Sequence, residues 1–134
     1  MNPYEASKKT ESLCRLAPVI PVLVVDDANI AQPLAEALIK GGLTVLEVTL
    51  RTPSALQVIS EMAKVQGGVV GAGTITKASD VTDAINAGAQ FGVSPGSTDD
   101  ILEACEQKKL PILPGAATSS EIMKLFNLGF SVQK

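Results

Sequence analysis

The stretch Leu46-Glu47-Val48-Thr49-Leu50-Arg51-Thr52 sets a carboxylate and a guanidinium into a short apolar strand. Side chains alternate across a strand, so Leu46, Val48 and Leu50 share one face while Val45, Glu47, Thr49 and Arg51 share the other. The first face reads as core and the second as polar. Burying a charge costs on the order of several kcal/mol unless it is paired or used by a ligand. Such a strand therefore either hides a structural Glu47–Arg51 ion pair or floors a binding site. The chain contains no histidine, which removes the usual proton shuttle, the usual metal ligand and any Ser–His–Asp or Cys–His arrangement. Acid–base chemistry here falls to carboxylates, lysine or tyrosine.

The elements that must hold these residues repeat. A leading amphipathic helix is expected over 5–16, with Leu13 and Leu16 inward and Lys8, Lys9, Glu11 and Arg15 toward solvent. Val19–Val25 reads as a strand in spite of Pro21, which an edge or barrel position tolerates. Asp26 or Asp27 is placed to cap a helix over Ile30–Lys40, ended by Gly41-Gly42. Strand Thr44–Leu50 is followed by Thr52-Pro53 as cap and first-turn proline, then by a helix to about Lys64. Strand Gly68–Ile75 leads through Thr76 or Lys77 into a helix ending at Ala87. Strand Gln90–Ser94 turns at Pro95-Gly96 into a helix over about Thr98–Lys108. Strand Pro111–Leu113 turns at Pro114-Gly115 into a helix over about Ser119–Leu128, closed by Gly129. A further strand begins at Phe130.

A strand–helix unit recurring at about 21–24 residues, with continuous apolar strands, is the pattern of parallel strands joined by right-handed helical crossovers. An open doubly wound sheet and a closed eight-stranded barrel both accept it. No GxGxxG follows the first strand, and polar groups recur where strands end, at Glu47/Arg51, Thr74, Ser94 and Gly115. That ring favours an α/β fold of the (β/α)8 TIM-barrel type, in which residues 1–134 form a single partial barrel domain of five βα units and the start of strand six. Bare strand edges invite pairing with another chain, so a continuing or complementing polypeptide is expected to supply strands six to eight.

Composition narrows the partners. With 134 residues, 46% hydrophobic, no Trp and a mean hydropathy of +0.26, the chain has the profile of aliphatic strands and Ala-rich helices in layers. A net charge of −3 with no Lys/Arg run argues against a nucleic-acid or acidic-membrane surface, leaving Arg51 to hold a small anion. Cys14 and Cys105 fit neither a redox pair nor a zinc knuckle and read as reduced, buried fillers in a cytoplasmic protein. No apolar run reaches the roughly 20 residues that span a membrane.

Val45–Thr52 (VLEVTLRT), Val70–Thr74 (VGAGT), Ser94-Pro95-Gly96, Leu113-Pro114-Gly115 and a lysine closing a strand after Leu128-Gly129 resemble, in order and spacing, the pyruvate-forming class I aldolases. The nearest match is the 2-keto-3-deoxy-6-phosphogluconate and 4-hydroxy-2-oxoglutarate aldolase family. The resemblance implies a (β/α)8 barrel, usually a homotrimer. It implies a lyase of the Entner–Doudoroff pathway that makes pyruvate and glyceraldehyde 3-phosphate without metal or cofactor. It casts Lys134 as the Schiff-base lysine, Glu47 as general acid/base through a water, Arg51 and Thr74 as part of the pyruvate-carboxylate site, and Pro95 as pocket lining. The residues suit that chemistry. An iminium formed from a neutral lysine is the electron sink that carbon–carbon cleavage beside a ketone needs. A carboxylate can move the protons, and an arginine can grip the keto acid by two bonds. The competing readings are a keto-acid- or phosphate-binding barrel without turnover, and a half-barrel active only in assembly. On a bland reading Thr74 is a helix cap, Gly73 and Gly96 serve turn geometry, and Ser94 caps with Asp99 or Asp100.

Overall fold

Apolar β-branched runs alternating with glycine- or lysine-closed helices build a parallel sheet with helical crossovers, in a computed structural model that describes residues 1–134. Helix α1 is Pro3–Cys14. Then follow β1 (Val22–Leu23), a 3₁₀ turn (Ala28–Ile30), α2 (Ala31–Lys40), β2 (Val45–Thr49), α3 (Ala55–Met62), β3 (Val69–Gly73), α4 (Ala78–Asn86), β4 (Phe91–Val93), α5 (Asp99–Lys108), β5 (Ile112–Leu113) and α6 (Ser119–Leu128). The sheet order is β1-β2-β3-β4-β5, all parallel, with Glu47 paired to Gly71 and Thr49 to Gly73. An order that never reverses is wound one way round, which fits the arc of a barrel-like aldolase fold and not a doubly wound sheet.

Both faces of the sheet are used. Leu46, Val48, Val70, Ala72 and Ile112 pack with Ala31, Ala35, Val58, Ile59, Met62, Val81, Ala84, Ile101 and Leu102 of the helices in the main core. Val45, Phe91 and Val93 form a smaller cluster on the opposite face, with Leu13, Ile20, Val69 and Leu113 at its border. All five residues of β2 are buried. On the face of β2 that carries the polar groups, Val45 packs in this smaller cluster at one end and Glu47 and Thr49 carry on from there.

Local chemistry explains several boundaries. Asn2 caps α1 in a reciprocal box with Glu5, so the helix starts before residue 5 and ends at Cys14. Its buried residues are Ala6, Ser7 and Thr10, whereas Leu16 is exposed. Asp27 caps a short 3₁₀ turn, which delays α2 by a residue. Thr52 does not cap α3. Its hydroxyl donates to Val25 O at 3.0 Å and Ser54 takes the cap position, tying the end of β2 to the loop after β1. Thr98 occupies the cap position of α5, and its hydroxyl bonds the Asp100 side chain. Ser94 caps nothing. It is fully buried with no hydrogen-bond partner for its hydroxyl. Cys105 is buried as expected, but Cys14 is exposed. No helix is long and apolar enough to cross a membrane.

Residues 130–134 form a bent segment and not a regular sixth strand. Lys134 nevertheless makes the two bonds of a parallel ladder, donating its N–H to Pro114 O and accepting from Ala116 N, both at 2.9 Å. It therefore sits opposite Gly115, in register with the sheet.

Candidate functional site

Glu47 lies mid-strand on the face opposite the helices and is 4% exposed. The space it occupies comes from β3. A β-carbon on Gly73 would sit 2.8 Å from Glu47 Cγ and Cδ and closer still to Oε1. Gly71 does the same for Phe91, whose ring covers the spot where its β-carbon would be. Gly73 does not adopt left-handed backbone, so space, not turn geometry, selects glycine there. Gly96 has neither a crowded β-carbon position nor a left-handed φ.

Lys134 reaches the same spot. Its Nζ is 3.6 Å from Glu47 Oε1, with the lysine side chain 48% exposed and the carboxylate side chain 5% exposed. No protein group donates a hydrogen bond to the Glu47 side chain, and its one ion-pair partner is this ammonium, beyond ordinary hydrogen-bond length. Buried carboxylates held for structure alone are normally saturated with donors. A carboxylate left open beside an amine that faces solvent is arranged to act on something that enters.

Three anchors hold the segment that delivers Lys134. Ser7 of α1, 1% exposed, accepts the N–H groups of Ser131 at 2.9 Å and Val132 at 3.2 Å and lies 3.0 Å from the Ser131 hydroxyl. Gln133 donates its side-chain amide to Phe130 O and Ile122 O. Gly115 admits the carbonyls of Ser94 and Pro95 where a β-carbon would otherwise be. The Pro95 turn thus folds over the residue paired with Lys134.

Arg51 takes no part in an ion pair with Glu47. It lies beyond the end of β2, exposed, and forms no salt bridge. Thr74 is not the cap of α4, since Lys77 holds that position and Asp80 accepts from the N–H groups of Thr76 and Lys77. Thr74 has a φ of +63° instead. For a β-branched residue that conformation is a genuine outlier, costing on the order of 1–3 kcal/mol, and such strain gathers at binding sites. Pro95 is exposed at the same end of the sheet. Glu47 and Lys134 are thus in contact, with Gly73 making room for the carboxylate and Thr74 following it. Arg51, Thr74 and Pro95 stand at the C-terminal ends of β2, β3 and β4. No cluster of three or more His, Cys, Asp or Glu side chains is positioned to hold a metal ion.

Sequence reasoning passed over Ser7, gave Gly73 only a part in turn geometry, and placed Gly115 at a strand end without its close approach to the Ser94 and Pro95 carbonyls. The alternation of Gly71 and Gly73 beside a buried Glu47 was the available signal for the second. For Ser7 there was none, since its partners lie more than a hundred residues away.

The family described as KDPG and KHG aldolase matches residues 10–134. A 2-dehydro-3-deoxy-phosphogluconate aldolase of Zymomonas mobilis subsp. mobilis is 50% identical over 119 residues, covering 89% of this chain and 57% of that relative. The KHG/KDPG aldolase of Escherichia coli K12 is 45% identical over 114 residues, covering 84% and 54%. Among solved structures, the 2-keto-3-deoxy-6-phosphogluconate aldolase of Zymomonas mobilis ZM4 with 3-phosphoglycerate superposes with a TM-score of 0.87. It is 49% identical, over 92% of this chain and 59% of that one. The KDPG aldolase of Legionella pneumophila, with pyruvate captured as a covalent carbinolamine intermediate, gives 0.83 at 40% identity, over 88% and 58%. The chain spans little more than half the length of the relatives it matches.

Proposed function

The chain belongs to the KDPG and KHG aldolase family, and on that premise we propose that the protein it forms is a class I aldolase. It would cleave 2-dehydro-3-deoxy-6-phosphogluconate to pyruvate and glyceraldehyde 3-phosphate, and also accept 4-hydroxy-2-oxoglutarate. The observation that carries the reading is the pairing of Lys134 with a buried Glu47 that no other group satisfies.

The Lys134 amine adds to the substrate C2 carbonyl, and loss of water leaves an iminium. Glu47, directly or through a water, takes the proton of the C4 hydroxyl. The C3–C4 bond breaks and its electrons pass to the iminium nitrogen, giving an enamine and the free aldehyde. Glu47 returns the proton to C3, and water hydrolyses the resulting pyruvate iminium to free Lys134. Arg51 and Thr74 hold the substrate carboxylate, and Pro95 lines the pocket beside them. Arg51 stands free of any carboxylate in the protein, as an anion-binding guanidinium must.

The same proposal has residues 1–134 as one barrel domain closed by strands six to eight from a continuing or complementing polypeptide, assembled as a homotrimer. Side chains exposed beside both sheet edges support closure: Val22 at 53% and Val24 at 56% by β1, and Met123 and Phe126, each at 65%, on α6.

Pyruvate with borohydride tests the site. The expected product is a single secondary amine, mapped by peptide mass to Lys134. Label spread over Lys40, Lys64 and other surface lysines would assign the chain to a binding role without turnover.

A further inference from the structure

A cavity lies at the opposite end of the sheet from Arg51, Thr74 and Pro95. It has a volume of about 590 Å³ and opens where β3, β4 and β5 begin, between α1 and the end of α5. Leu13, Val69, Ile85, Ala89, Leu110 and Pro111 make an apolar floor, and Lys8, Lys9, Lys108 and Lys109 stand around it.

The charge distribution is uneven in a way that composition alone hides. Of eleven Lys and Arg side chains, Arg15, Lys64, Lys77, Lys124 and Lys134 are paired with carboxylates. Six have no such partner, and four of those six are the lysines of this cavity. Lys8 also lies 4.6 Å from the centre of the Tyr4 ring. An adjoining hollow of about 530 Å³ shares Lys8, Lys9 and Lys109 and adds one carboxylate, Glu5, which accepts the Asn2 N–H. A protein of net charge −3 thus gathers four of its six unpaired cations at one apolar depression.

The backbone adds an independent sign. The left-handed positions that follow α2, α4 and α6 are glycines, Gly42, Gly88 and Gly129. Helix α5 alone is closed by a lysine, Lys109 at a φ of +60°. That conformation strains any residue with a β-carbon and costs glycine nothing, and strain kept at one position points to a task for its side chain. Lys108, in the last turn, complements the helix dipole. Lys109 satisfies no need of the helix that glycine would not meet better.

We propose that this cavity binds a small organic polyphosphate with an apolar body, a nucleotide being the nearest common chemistry. The volume lies in the range of small-molecule sites, the floor suits a base or comparable planar group, and the four ammonium groups suit a charge of −3 to −4. The site is separate from Glu47 and Lys134, so a ligand there would modulate or tether the protein without entering the reaction.

The test is calorimetric titration of the protein with ATP, inorganic tripolyphosphate and AMP at low and moderate salt. Expected results are saturable one-site binding of ATP that weakens as salt rises, tripolyphosphate weaker than ATP, and AMP weakest. Lys109→Gly should raise the melting temperature by relieving the left-handed backbone, yet weaken ATP binding about tenfold. Lys40→Glu, which alters an unpaired lysine elsewhere, should change binding less than twofold. Absence of saturable binding at millimolar ATP, or equal losses in the Lys109→Gly and Lys40→Glu variants, would overturn the site. Tripolyphosphate binding as tightly as ATP would overturn the part assigned to the apolar floor.

Discussion

Gly73→Ala is the sharpest probe of how the candidate site is built, because it adds one methyl group at the place where Glu47 lies. The new β-carbon would be 2.8 Å from Glu47 Cγ and Cδ, against about 3.5–4.0 Å for relaxed carbon contacts. The carboxylate must therefore shift by about 1 Å, which disturbs its 3.6 Å contact with Lys134. Backbone strain does not confound the change, since Gly73 is not left-handed. Overpacking of this kind costs about 1–3 kcal/mol, offset by about 0.4–1 kcal/mol from the stiffer unfolded chain. The net loss of stability should be between about 0 and 2.6 kcal/mol. Catalysis should suffer more, as displacing a proton carrier by about 1 Å costs about a hundredfold. Exchange of the pyruvate methyl hydrogens into D₂O, followed by NMR, would isolate the step proposed for Glu47 and needs no aldehyde phosphate. Gly73→Ala should keep borohydride trapping at Lys134 while exchange falls about a hundredfold. Glu47→Gln should lose about 10²–10⁴. The double variant should be no slower than Glu47→Gln alone, since both changes act on one carboxylate. Wild-type exchange in Gly73→Ala, or additive losses in the double variant, would refute the reasoning.

Two further outcomes follow from buried groups elsewhere. Ser7→Ala leaves the N–H groups of Ser131 and Val132 without their acceptor, so stability should fall by about 2 kcal/mol and those amides should exchange faster in a hydrogen-exchange measurement. Trapping of Lys134 should slow with them, whereas unchanged protection at 131 and 132 would remove Ser7 from any part in placing the lysine. For the cysteines, burial pushes the Cys105 thiol up to about 12, while Cys14 is exposed. Iodoacetamide at pH 8 should alkylate Cys14 alone in the folded protein and both thiols in urea. Because the folded-state value lies above the ordinary thiol value of about 8.5, the folded state holds its proton longer. Stability should decline as pH rises from about 8.5 toward 12, and equal native labelling of both thiols would contradict the burial.

What was legible from sequence were the features whose cause is local. The period of strand and helix, Gly88 and Gly129 as helix ends, and the span Ser119–Leu128 of α6 all rest on neighbours within a turn or two. Misreadings arose where a polar side chain had a choice. Thr52 stands where a cap is expected, but Val25 O offers its hydroxyl a bond across the sheet and a different residue takes the cap. Thr74 follows a glycine-rich strand as a cap would, yet its φ of +63° removes it from that task. The alternative of a structural Glu47–Arg51 ion pair counted two charges on one face and ignored strand length. β2 ends at Thr49, so Arg51 has already left the sheet.

The placement of Lys134 shows why a site can be recognisable while its support is not. A lysine after Leu128-Gly129 can be matched to a family, but a regular strand to carry it is not there. Its backbone bonds to Pro114 and Ala116, the Ser7 hydroxyl under residues 131 and 132, and the Gln133 amide on α6 do the work of one. These anchors come from β5's exit, α6 and α1, the last of them more than a hundred residues away in the chain and adjacent only after folding. Each is a single polar group with no periodicity to mark it. The helix that leads the chain therefore contributes more than a cover for the sheet. Through Ser7 it holds residues 131 and 132, which lead to Lys134, so a substitution on its buried face should be felt at the lysine before it is felt in the core.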